Sequence, residues 1–339
     1  MTASIRLQID YFDRRSLILR VFMLCVTRPQ GTFVRKKYNK STNPIYHNYC
    51  NCSTVMIKYF INNYSGGVCM KTRKKINIIV ADPAGNITIF VKDRFDRKHY
   101  PVVANQLLDM EELKGEQVAY ILDLEGKNGF PRMEMCGLEF CGNASRSFAL
   151  LAAKAQGRKG NSVITIDVSG SDEPLDVEVN TDTNYTKIKM PKALRVFDEE
   201  IFGIPAQIAD YGGIMHVVIK NIEATEETFN KYKDYINEKY NPPAMGVMFW
   251  DEKTETLAPV VYVKDVDTTY FEGSCGSGST ATATCFGLLK GDGEHHLAIP
   301  QPAGTIDTTC IVRNGVAEEV YIEGPVGLTD DIDVEVEVE

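Results

Sequence analysis

Short runs of apolar residues alternate with turn residues from Lys75 onward, which predicts a chain built mainly of β-strands. The first set of predicted strands covers residues 76–80, 86–91, 117–122, 163–168, 175–179 and 187–190. A second set begins near residue 207 and covers residues 216–219, 246–250, 260–263, 297–299, 305–312 and 319–322. Residues 190–193 separate the two sets and are the predicted domain boundary.

Each set of strands surrounds one apolar segment rich in small residues. The first segment predicts a helix over residues 143–155 that stops at Gly157, and the second predicts a helix over 277–290 that stops at Gly291. A helix that is apolar nearly all round is buried. We therefore predict an α/β (α+β) protein with two domains, residues 70–192 and 193–324, each with a sheet wrapped around one helix.

The charge is unevenly distributed along the chain. The net charge is −9, but residues 1–70 contain ten Lys or Arg and two Asp or Glu, so they carry +8 and the rest carries −17. An acidic body argues against a partner bound by phosphate neutralisation, so we expect no nucleic acid. No run approaches the ~18–20 apolar residues of a membrane span. Residues 1–69 lack periodicity and a signal-cleavage pattern, which predicts a disordered or spurious extension on a cytoplasmic protein.

One short motif occurs twice, each time at the start of a predicted helix. The copies are Cys141-Gly142-Asn143-Ala144-Ser145 and Cys275-Gly276-Ser277-Gly278-Ser279, 134 residues apart. This weak internal repeat predicts a pseudo-twofold chain in which two cysteines face each other.

A cysteine at a helix N-terminus has a defined chemistry. Unpaired backbone N–H groups and the helix dipole favour the thiolate and are expected to lower the thiol pKa. The same N–H groups suit a carboxylate, and glycine lets the backbone approach it closely. Two such helices at one cleft predict a protein that removes a proton from one face of an amino acid Cα and returns one to the other face. This chemistry requires no cofactor and no metal.

The individual residues also have ordinary structural explanations. Cys141 and Cys275 could be packing residues or a disulfide, and His216 could be a satisfied core histidine. Glu272 could belong to a turn, as could Asn86 after Gly85. Packing is the default for the remaining cysteines of the body, Cys136, Cys285 and Cys310.

A different functional class is a thiol-based metal or redox-binding protein. It would use Cys136, Cys141, Cys275 and a histidine. The missing C-x-x-C spacing and the glycine-rich helix starts argue against it.

Several motifs together resemble the diaminopimelate epimerase superfamily of cofactor-independent amino-acid racemases. They are Ala84-Gly85-Asn86, Glu139-Phe140-Cys141-Gly142-Asn143-Ala144, His216, Glu272, Ser274-Cys275-Gly276-Ser277-Gly278 and Pro302-Ala303-Gly304. The resemblance covers residues 75–325. It implies two pseudo-symmetric domains, each a curled sheet around a central helix, with the substrate between them. It also implies that the alternating C-terminal segment, 325–339, returns to the first domain.

The resemblance also implies roles for single residues. Cys141 and Cys275 would be the acid/base pair, and His216 and Glu272 would lie near the reacting centre. Asn86 and Asn143 would hold polar groups of the substrate. Carboxylate-binding N–H groups would come from Gly142, Asn143, Gly276 and Ser277.

Two departures argue against diaminopimelate as the substrate. The superfamily's Gly-Asn-Pro-His is replaced by Gly213-Ile214-Met215-His216, and no arginine precedes the second cysteine within residues 263–273.

Within the superfamily, the pattern is most similar to the histidine racemases of staphylopine-type metallophore biosynthesis. The resemblance rests on Pro83-Ala84-Gly85-Asn86-Ile87-Thr88, Asn105-Gln106-Leu107, Glu116-Gln117-Val118, Val247-Met248-Phe249, Glu272-Gly273-Ser274-Cys275 and Gln301-Pro302-Ala303-Gly304. It implies conversion of L-histidine to D-histidine without a cofactor, by a protein whose partner is a small molecule, an amino acid, and for which a homodimer is one possible assembly. The alternative is a racemase or epimerase of another amino acid, of the diaminopimelate or proline type.

Overall fold

A computed structural model describes residues 72–338, and the predicted extension over residues 1–69 lies outside this range. The strands are β1 (Thr72–Asp82), β2 (Thr88–Val91), β3 (Gln117–Asp123), β4 (Arg132–Met135), β5 (Asn161–Val168), β6 (Leu175–Asn180), β7 (Tyr185–Lys189), β8 (Arg195–Ile201), β9 (Ile204–Asp210), β10 (Met215–Lys220), β11 (Ala244–Asp251), β12 (Thr256–Val263), β13 (Thr268–Phe271), β14 (Gly293–Gln301), β15 (Gly304–Arg313), β16 (Val316–Pro325), β17 (Gly327–Leu328) and β18 (Ile332–Val338). The α-helices are α1 (Tyr100–Leu108), α2 (Gly142–Ala155), α3 (Glu226–Lys239) and α4 (Gly276–Lys290).

The strands form two sheets. The larger has twelve strands in the order β14-β15-β16-β7-β6-β5-β4-β3-β2-β1-β17, with β18 also paired to β1. The smaller has six strands in the order β13-β12-β11-β10-β9-β8. Both sheets are mixed, because β2 and β3 run parallel in the first and β10 and β11 run parallel in the second. The prediction of a mixed α and β protein with two sheets is confirmed.

The sheets divide the chain differently from the two predicted sets of strands. β16 pairs antiparallel with β7, so that Ile322 lies opposite Ile188, and β14 to β16 thereby extend the first sheet. The C-terminal strand β18 pairs antiparallel with β1 along its length. Residues 190–194 connect β7 to β8 without regular structure, at the predicted boundary. The limits of the two domains stay a prediction.

Helix α2 is buried along most of its length and is followed by a glycine that ends it. Every residue from Gly142 to Ala153 is buried, and the helix packs on β5, β6 and β7. The chain leaves the helix through Gly157, whose φ of +69° is a conformation that glycine adopts without strain. The predicted helix over residues 143–155 is therefore confirmed.

Helix α4 lies between the two sheets. It contacts β14, β15 and β16 of the larger sheet and β9, β10 and β11 of the smaller one. Its buried threonines leave no hydroxyl group unpaired. Thr280, Thr282 and Thr284 each donate to the carbonyl four residues earlier, at 2.8–2.9 Å. The six-stranded sheet thus covers one side of α4, and the end of the twelve-stranded sheet covers the other.

Two surface helices and four short strands were absent from the predicted elements. Helix α1 buries Tyr100, Val103, Ala104 and Leu107, and α3 buries Phe229, Tyr232 and Ile236. These spacings are the ordinary helical period and could have predicted both helices. The strands without a prediction are β4, β8, β13 and β17, whose sequences carry a weaker apolar pattern.

Candidate active site

Cys141 is the N-cap of α2. Its backbone is extended, with φ −133° and ψ 112°, and its sulfur accepts a hydrogen bond from Ala144 N at 3.4 Å. The residue is 2% exposed. A Cβ at Gly142 would lie 2.5 Å from Met190 Sδ, so a larger residue would have to displace Met190. The local sequence therefore places a buried sulfur beside the first turn of the helix.

A group of amide side chains surrounds the Cys141 sulfur. Gln117 Nε2 lies 3.3 Å from Cys141 Sγ and 2.8 Å from both Asn86 Oδ1 and Thr88 Oγ1. Asn143 Nδ2 also donates to Asn86 Oδ1, at 3.4 Å. The structure thus brings together three predicted site residues, Asn86, Cys141 and Asn143. Gln117, which the sequence indicates only as part of a family motif, joins them.

Cys275 repeats this arrangement at the start of α4. Its backbone has φ −129° and ψ 110°, and its sulfur accepts from Gly278 N at 3.2 Å. The residue is 2% exposed. Its own N–H donates to Gln301 Oε1 at 2.8 Å, and Gln301 Nε2 donates to Ser279 Oγ at 3.0 Å. Gln301 therefore anchors the turn that carries the second sulfur, a role that the sequence motif did not indicate.

A hydroxyl and an imidazole stand next to the second sulfur. Ser277 Oγ is 3.5 Å from Cys275 Sγ and 2.9 Å from His216 Nε2. His216 is fully buried, and burial lowers its pKa to about 3. Its ring is therefore neutral at physiological pH. The imidazole also packs tightly on β11, because a Cβ at Gly246 would lie 2.6 Å from His216 Nδ1.

Glu272 places a carboxyl group beside the same thiol. It is buried, and its side chain is hydrogen-bonded to Cys275. Two other segments hold it there, since Glu272 N donates to Pro259 O at 3.0 Å and Ala303 N donates to Gly273 O at 2.8 Å. His216, Glu272, Cys275 and Ser277 thus form one cluster, as predicted from their positions in the motifs.

The expectation that the helix N-termini lower the thiol pKa values is wrong for both cysteines. Burial raises the pKa of Cys141 to about 11, although hydrogen bonds from Ala144 N and Gln117 act in the opposite direction. Burial also raises the pKa of Cys275 well above 9, and the negative charge of Glu272 raises it further. Desolvation of a buried anion outweighs two or three hydrogen bonds to it. Both thiols are therefore protonated in the unliganded protein.

Two Pro-Ala-Gly turns, one near each cluster, are in contact with each other. A Cβ at Gly85 would lie 2.4 Å from Ala303 Cβ, and a Cβ at Gly304 would lie 2.5 Å from Ala84 O. One turn leads directly into Asn86 beside Cys141, and the other follows Gln301 beside Cys275. Helices α2 and α4 are also in contact. The turns and the helices therefore connect the two segments that carry the thiols.

An apolar cavity is lined by a residue next to the first cysteine motif and by a residue of the second. Its lining residues are Phe140, Met190, Pro191, Tyr211, Ile214, Ser277 and Thr280. Phe140 immediately precedes Cys141, and Ser277 lies in the first turn of α4.

The remaining described cysteines lie apart from these clusters. Cys136 packs under α1, and Cys285 and Cys310 lie in hydrophobic core. Within residues 72–338 all cysteines are free, and no three Cys, His, Asp or Glu side chains are grouped closely enough to hold a metal ion. In the same range, no helix is both long and apolar enough to span a membrane.

The fold recurs in several solved structures. The Bacillus anthracis phenazine biosynthesis protein of the PhzF family matches with a TM-score of 0.56 at 14% identity, over 77% of this chain and 99% of that chain. Methylitaconate-delta-isomerase matches with a TM-score of 0.51 at 13% identity, over 78% of this chain and 96% of that chain. A probable proline racemase from Agrobacterium radiobacter K84 matches with a TM-score of 0.50 at 13% identity, over 75% of this chain and 92% of that chain. The protein thus shares its fold with these three proteins, and a cysteine caps each of its two central helices.

Sequence comparison narrows this class to one family. The family described as "Histidine racemase CntK N-terminal domain" matches residues 75–331. A histidine racemase of Fusobacterium nucleatum is 35% identical over 263 residues, which are 74% of this chain and 94% of that protein. A histidine racemase of Staphylococcus aureus is 27% identical over 262 residues, 75% of this chain and 95% of that protein. The chain belongs to the histidine racemase family.

Proposed function

We propose that this protein interconverts L-histidine and D-histidine without a cofactor, using Cys141 and Cys275 as the two acid/base groups. One observation carries the proposal: both central helices begin with a buried cysteine whose sulfur accepts a backbone N–H of its own first turn. The family and its relatives at 27–35% identity support histidine as the substrate. The homodimer and the cytoplasmic location predicted from the sequence stay predictions.

The substrate carboxylate would bind to the first turns of α2 and α4. The N–H groups of Gly142, Asn143, Gly276 and Ser277 belong to these turns, where backbone donors lack partners within the helix. As the Cα proton leaves, negative charge moves onto the carboxylate. Preorganised donors at such a site are worth roughly 3–4 kcal/mol each. The helix starts would therefore stabilise the state in which Cα has lost its proton.

The proton transfer needs one thiolate and one thiol. The thiolate takes the Cα proton and becomes a thiol, while the opposite thiol gives its proton to the other face of Cα and becomes a thiolate. No electrons are gained or lost. After one turnover the two sulfurs have exchanged protonation states, so they must exchange protons with solvent before the next turnover in the same direction.

The first thiolate has to be generated, because burial keeps both thiols protonated. Glu272 is hydrogen-bonded to Cys275 and is placed to accept its proton. The substrate ammonium group brings a positive charge into a water-poor site, where it favours a thiolate. Neutral His216 holds Ser277 Oγ beside the same sulfur. Asn86 and Asn143 would bind polar groups of the substrate near Cys141.

Deuterium incorporation tests the proposal. The reduced protein is incubated in D2O with single L- and D-amino acids, and deuterium at Cα and optical rotation are followed. We expect exchange and racemisation of histidine with no added cofactor. Exchange of another amino acid but not histidine would refute the substrate and leave the mechanism standing. Exchange that survives in the double variant Cys141→Ala/Cys275→Ala would refute the mechanism.

Variants with one cysteine replaced show which thiol acts on which face of the substrate Cα. Each of Cys141→Ala and Cys275→Ala should stop racemisation, because one face of Cα then has no acid. The remaining thiol can still exchange the proton on its own side, so one variant should exchange only L-histidine and the other only D-histidine. Cys136→Ser is the matched control, since it removes a thiol five residues before Cys141 and should keep wild-type racemisation. If both single variants exchange the same enantiomer, the two-face arrangement is wrong.

A further inference from the structure

Glu139 is a buried carboxyl group two residues before Cys141, in the connection between β4 and α2. It is 6% exposed, and its Oε2 has no hydrogen-bond partner within residues 72–338. Its own backbone N–H and that of Gly137 bind the carboxyl group, and no positive charge of the described residues acts on it. Burial raises the pKa of Glu139 to about 7. A buried carboxyl group without a cation is costly, so a purely structural explanation for it is weak.

The Glu139 carboxyl group is close enough to the Cys141 thiol for its charge to raise the pKa of that thiol. The two groups that touch the sulfur, Gln117 Nε2 and Ala144 N, are amides and do not titrate. The charge of Cys141 also acts on Arg146, but a guanidinium keeps its proton. Among the described residues that act on Cys141, Glu139 is therefore the one that takes up and releases a proton near neutral pH.

The proposed reaction requires such a group at each thiol. A racemase works in both directions, so each sulfur has to be the thiolate in one of them. Cys275 has Glu272 hydrogen-bonded to it as a proton acceptor. Cys141 is equally buried, at 2% exposure, and has to lose or gain one proton after each turnover. The first thiol therefore needs a proton acceptor of its own.

A surface cleft next to Glu139 gives this residue access to water. The cleft has a volume of about 500 Å³, and Leu138, Ser169 and Gly170 are among the residues that line it. Ser169 Oγ donates to Glu139 O at 3.0 Å, and a Cβ at Gly170 would lie 2.6 Å from Glu139 C. The backbone of Glu139 thus borders the cleft, while its carboxyl group acts on the buried thiol of Cys141.

We propose that Glu139 transfers protons between Cys141 and the solvent, and so returns Cys141 to its starting protonation state after each turnover. The S–H bond of Cys141 breaks, an O–H bond forms on the Glu139 carboxylate, and that proton then passes to water in the cleft. The reverse sequence gives a proton back to the thiolate, and no electrons are gained or lost. One water molecule between a base and its proton donor is sufficient for such a transfer. This inference rests on the acid/base role proposed for Cys141.

Steady-state kinetics separates proton return from the reaction itself. At low substrate concentration the free enzyme has time to return its protons, so kcat/KM does not depend on this step. At saturation the return step is part of kcat, and a slow return lowers kcat and KM together. Initial rates of histidine racemisation at pH 7 are measured by circular dichroism, from far below to far above KM, in wild type, Glu139→Gln and Glu139→Asp. Glu173→Gln is the matched control, because it removes an exposed carboxyl group beside the cleft residue Pro174.

We expect Glu139→Gln to lower kcat by about tenfold or more, because an amide of the same shape takes up no proton and a positioned acid/base group is worth roughly 100-fold or more in proton transfer. KM should fall by the same factor, so that kcat/KM stays within about threefold of wild type. Glu139→Asp keeps a carboxyl group and should lose less of kcat than Glu139→Gln. Glu173→Gln should keep the kcat and KM of wild type.

Two outcomes for a folded Glu139→Gln variant would overturn the proposal. One is a wild-type kcat. The other is a loss of kcat/KM as large as the loss of kcat, which is the result expected of a structural or substrate-binding residue. If Glu139→Gln does not fold, Glu139→Asp decides alone: a lower kcat with unchanged kcat/KM supports the proposal, and either of the two outcomes above overturns it.

The wild-type protein separates this inference from the proposed function. A wild type that racemises no amino acid refutes both. If wild type racemises another amino acid instead of histidine, the same kinetics are measured with that amino acid, and they decide on Glu139 although histidine was the wrong substrate.

Discussion

Cys141, Cys275 and His216 are ionisable groups whose buried surroundings favour the neutral form. For each of them desolvation is the largest cause of the pKa shift. The donors at the helix starts reduce this effect at the thiols, but no described charge opposes it at His216. The unliganded site is therefore neutral at these three residues, and the thiolate is formed only when a substrate or base changes the local charge.

At the residue scale, His216 makes stability depend on pH. Its pKa in the folded protein is about 3, below the usual 6.5, so between these values the unfolded chain binds one more proton. The contribution of neutral His216 to the free energy of unfolding is therefore present in full above pH 6.5, and it is lost as the pH falls toward 3. We expect the difference in unfolding free energy between wild type and His216→Asn to shrink by about 1.4 kcal/mol per pH unit below pH 6.

Urea denaturation at pH 7, 6 and 5 measures this slope. His296→Asn is the matched control, because its side chain is 68% exposed. A constant difference between wild type and His216→Asn across this range would show that His216 is not held neutral by burial.

At the element scale, α2 and α4 use cysteine where helices more often use serine, threonine or asparagine as the N-cap. The sulfur performs the cap's task by accepting the N–H of the third residue along, Ala144 in α2 and Gly278 in α4. The same atom is the proposed acid/base group. Capping and catalysis therefore place different demands on one position, and substitution can separate them.

Serine at these caps should preserve the helix and abolish the reaction. A serine N-cap is worth about 1 kcal/mol more than alanine, so Cys141→Ser should unfold at a higher urea concentration than Cys141→Ala. Both variants should fail to racemise histidine, because a hydroxyl is far less acidic than a thiol. Cys285 lies inside α4 and caps nothing, so serine should have no such advantage over alanine there. Equal stability of the Ser and Ala variants at Cys141 would contradict a capping role.

At the scale of the whole molecule, the two Pro-Ala-Gly turns are in close contact, and we expect this contact to set the separation of the two thiol clusters. Ala84 and Gly85 lie against Ala303 and Gly304 so closely that a Cβ at either glycine meets backbone atoms within 3 Å. Backbone atoms cannot move aside as a flexible side chain can. We therefore expect the contact to limit the distance and the angle between the first turns of α2 and α4.

Gly304→Ala should reduce activity far more than stability. The added Cβ would meet Ala84 O at 2.5 Å, so the turns would have to separate. A misplacement of about 1 Å can cost roughly 100-fold in rate, whereas overpacking costs about 1–3 kcal/mol. We expect kcat/KM for histidine to fall by about two orders of magnitude while the protein stays folded. Gly327→Ala is the control, because its Cβ would meet nothing closer than 3.5 Å. Near-wild-type kcat/KM in Gly304→Ala would show that the turns do not set the thiol separation.

Local patterns predicted the elements that hold the site but not the polar network inside it. The paired Cys-Gly motifs predicted both helix starts, and the apolar periodicity predicted most of the strands that cover them. Gln117, Gln301 and Arg146 were not predicted to act there, although each reaches a site residue by a hydrogen bond. Their partners are 24, 26 and 3 residues away in the chain, and polar residues on a strand or helix carry no periodic signal that reveals such contacts.

The sequence by itself determined which residues cap the two buried helices, because a cap depends on a few neighbouring residues and on the end of an apolar run. It also determined the family, through motifs in a fixed order. Only the tertiary structure decided that β14 to β16 join the first sheet, because strand pairing depends on distant segments. It also decided that both thiols are protonated at rest. A helix N-terminus alone favours a thiolate, but tertiary packing removes the water that would stabilise it, and that loss is the larger effect.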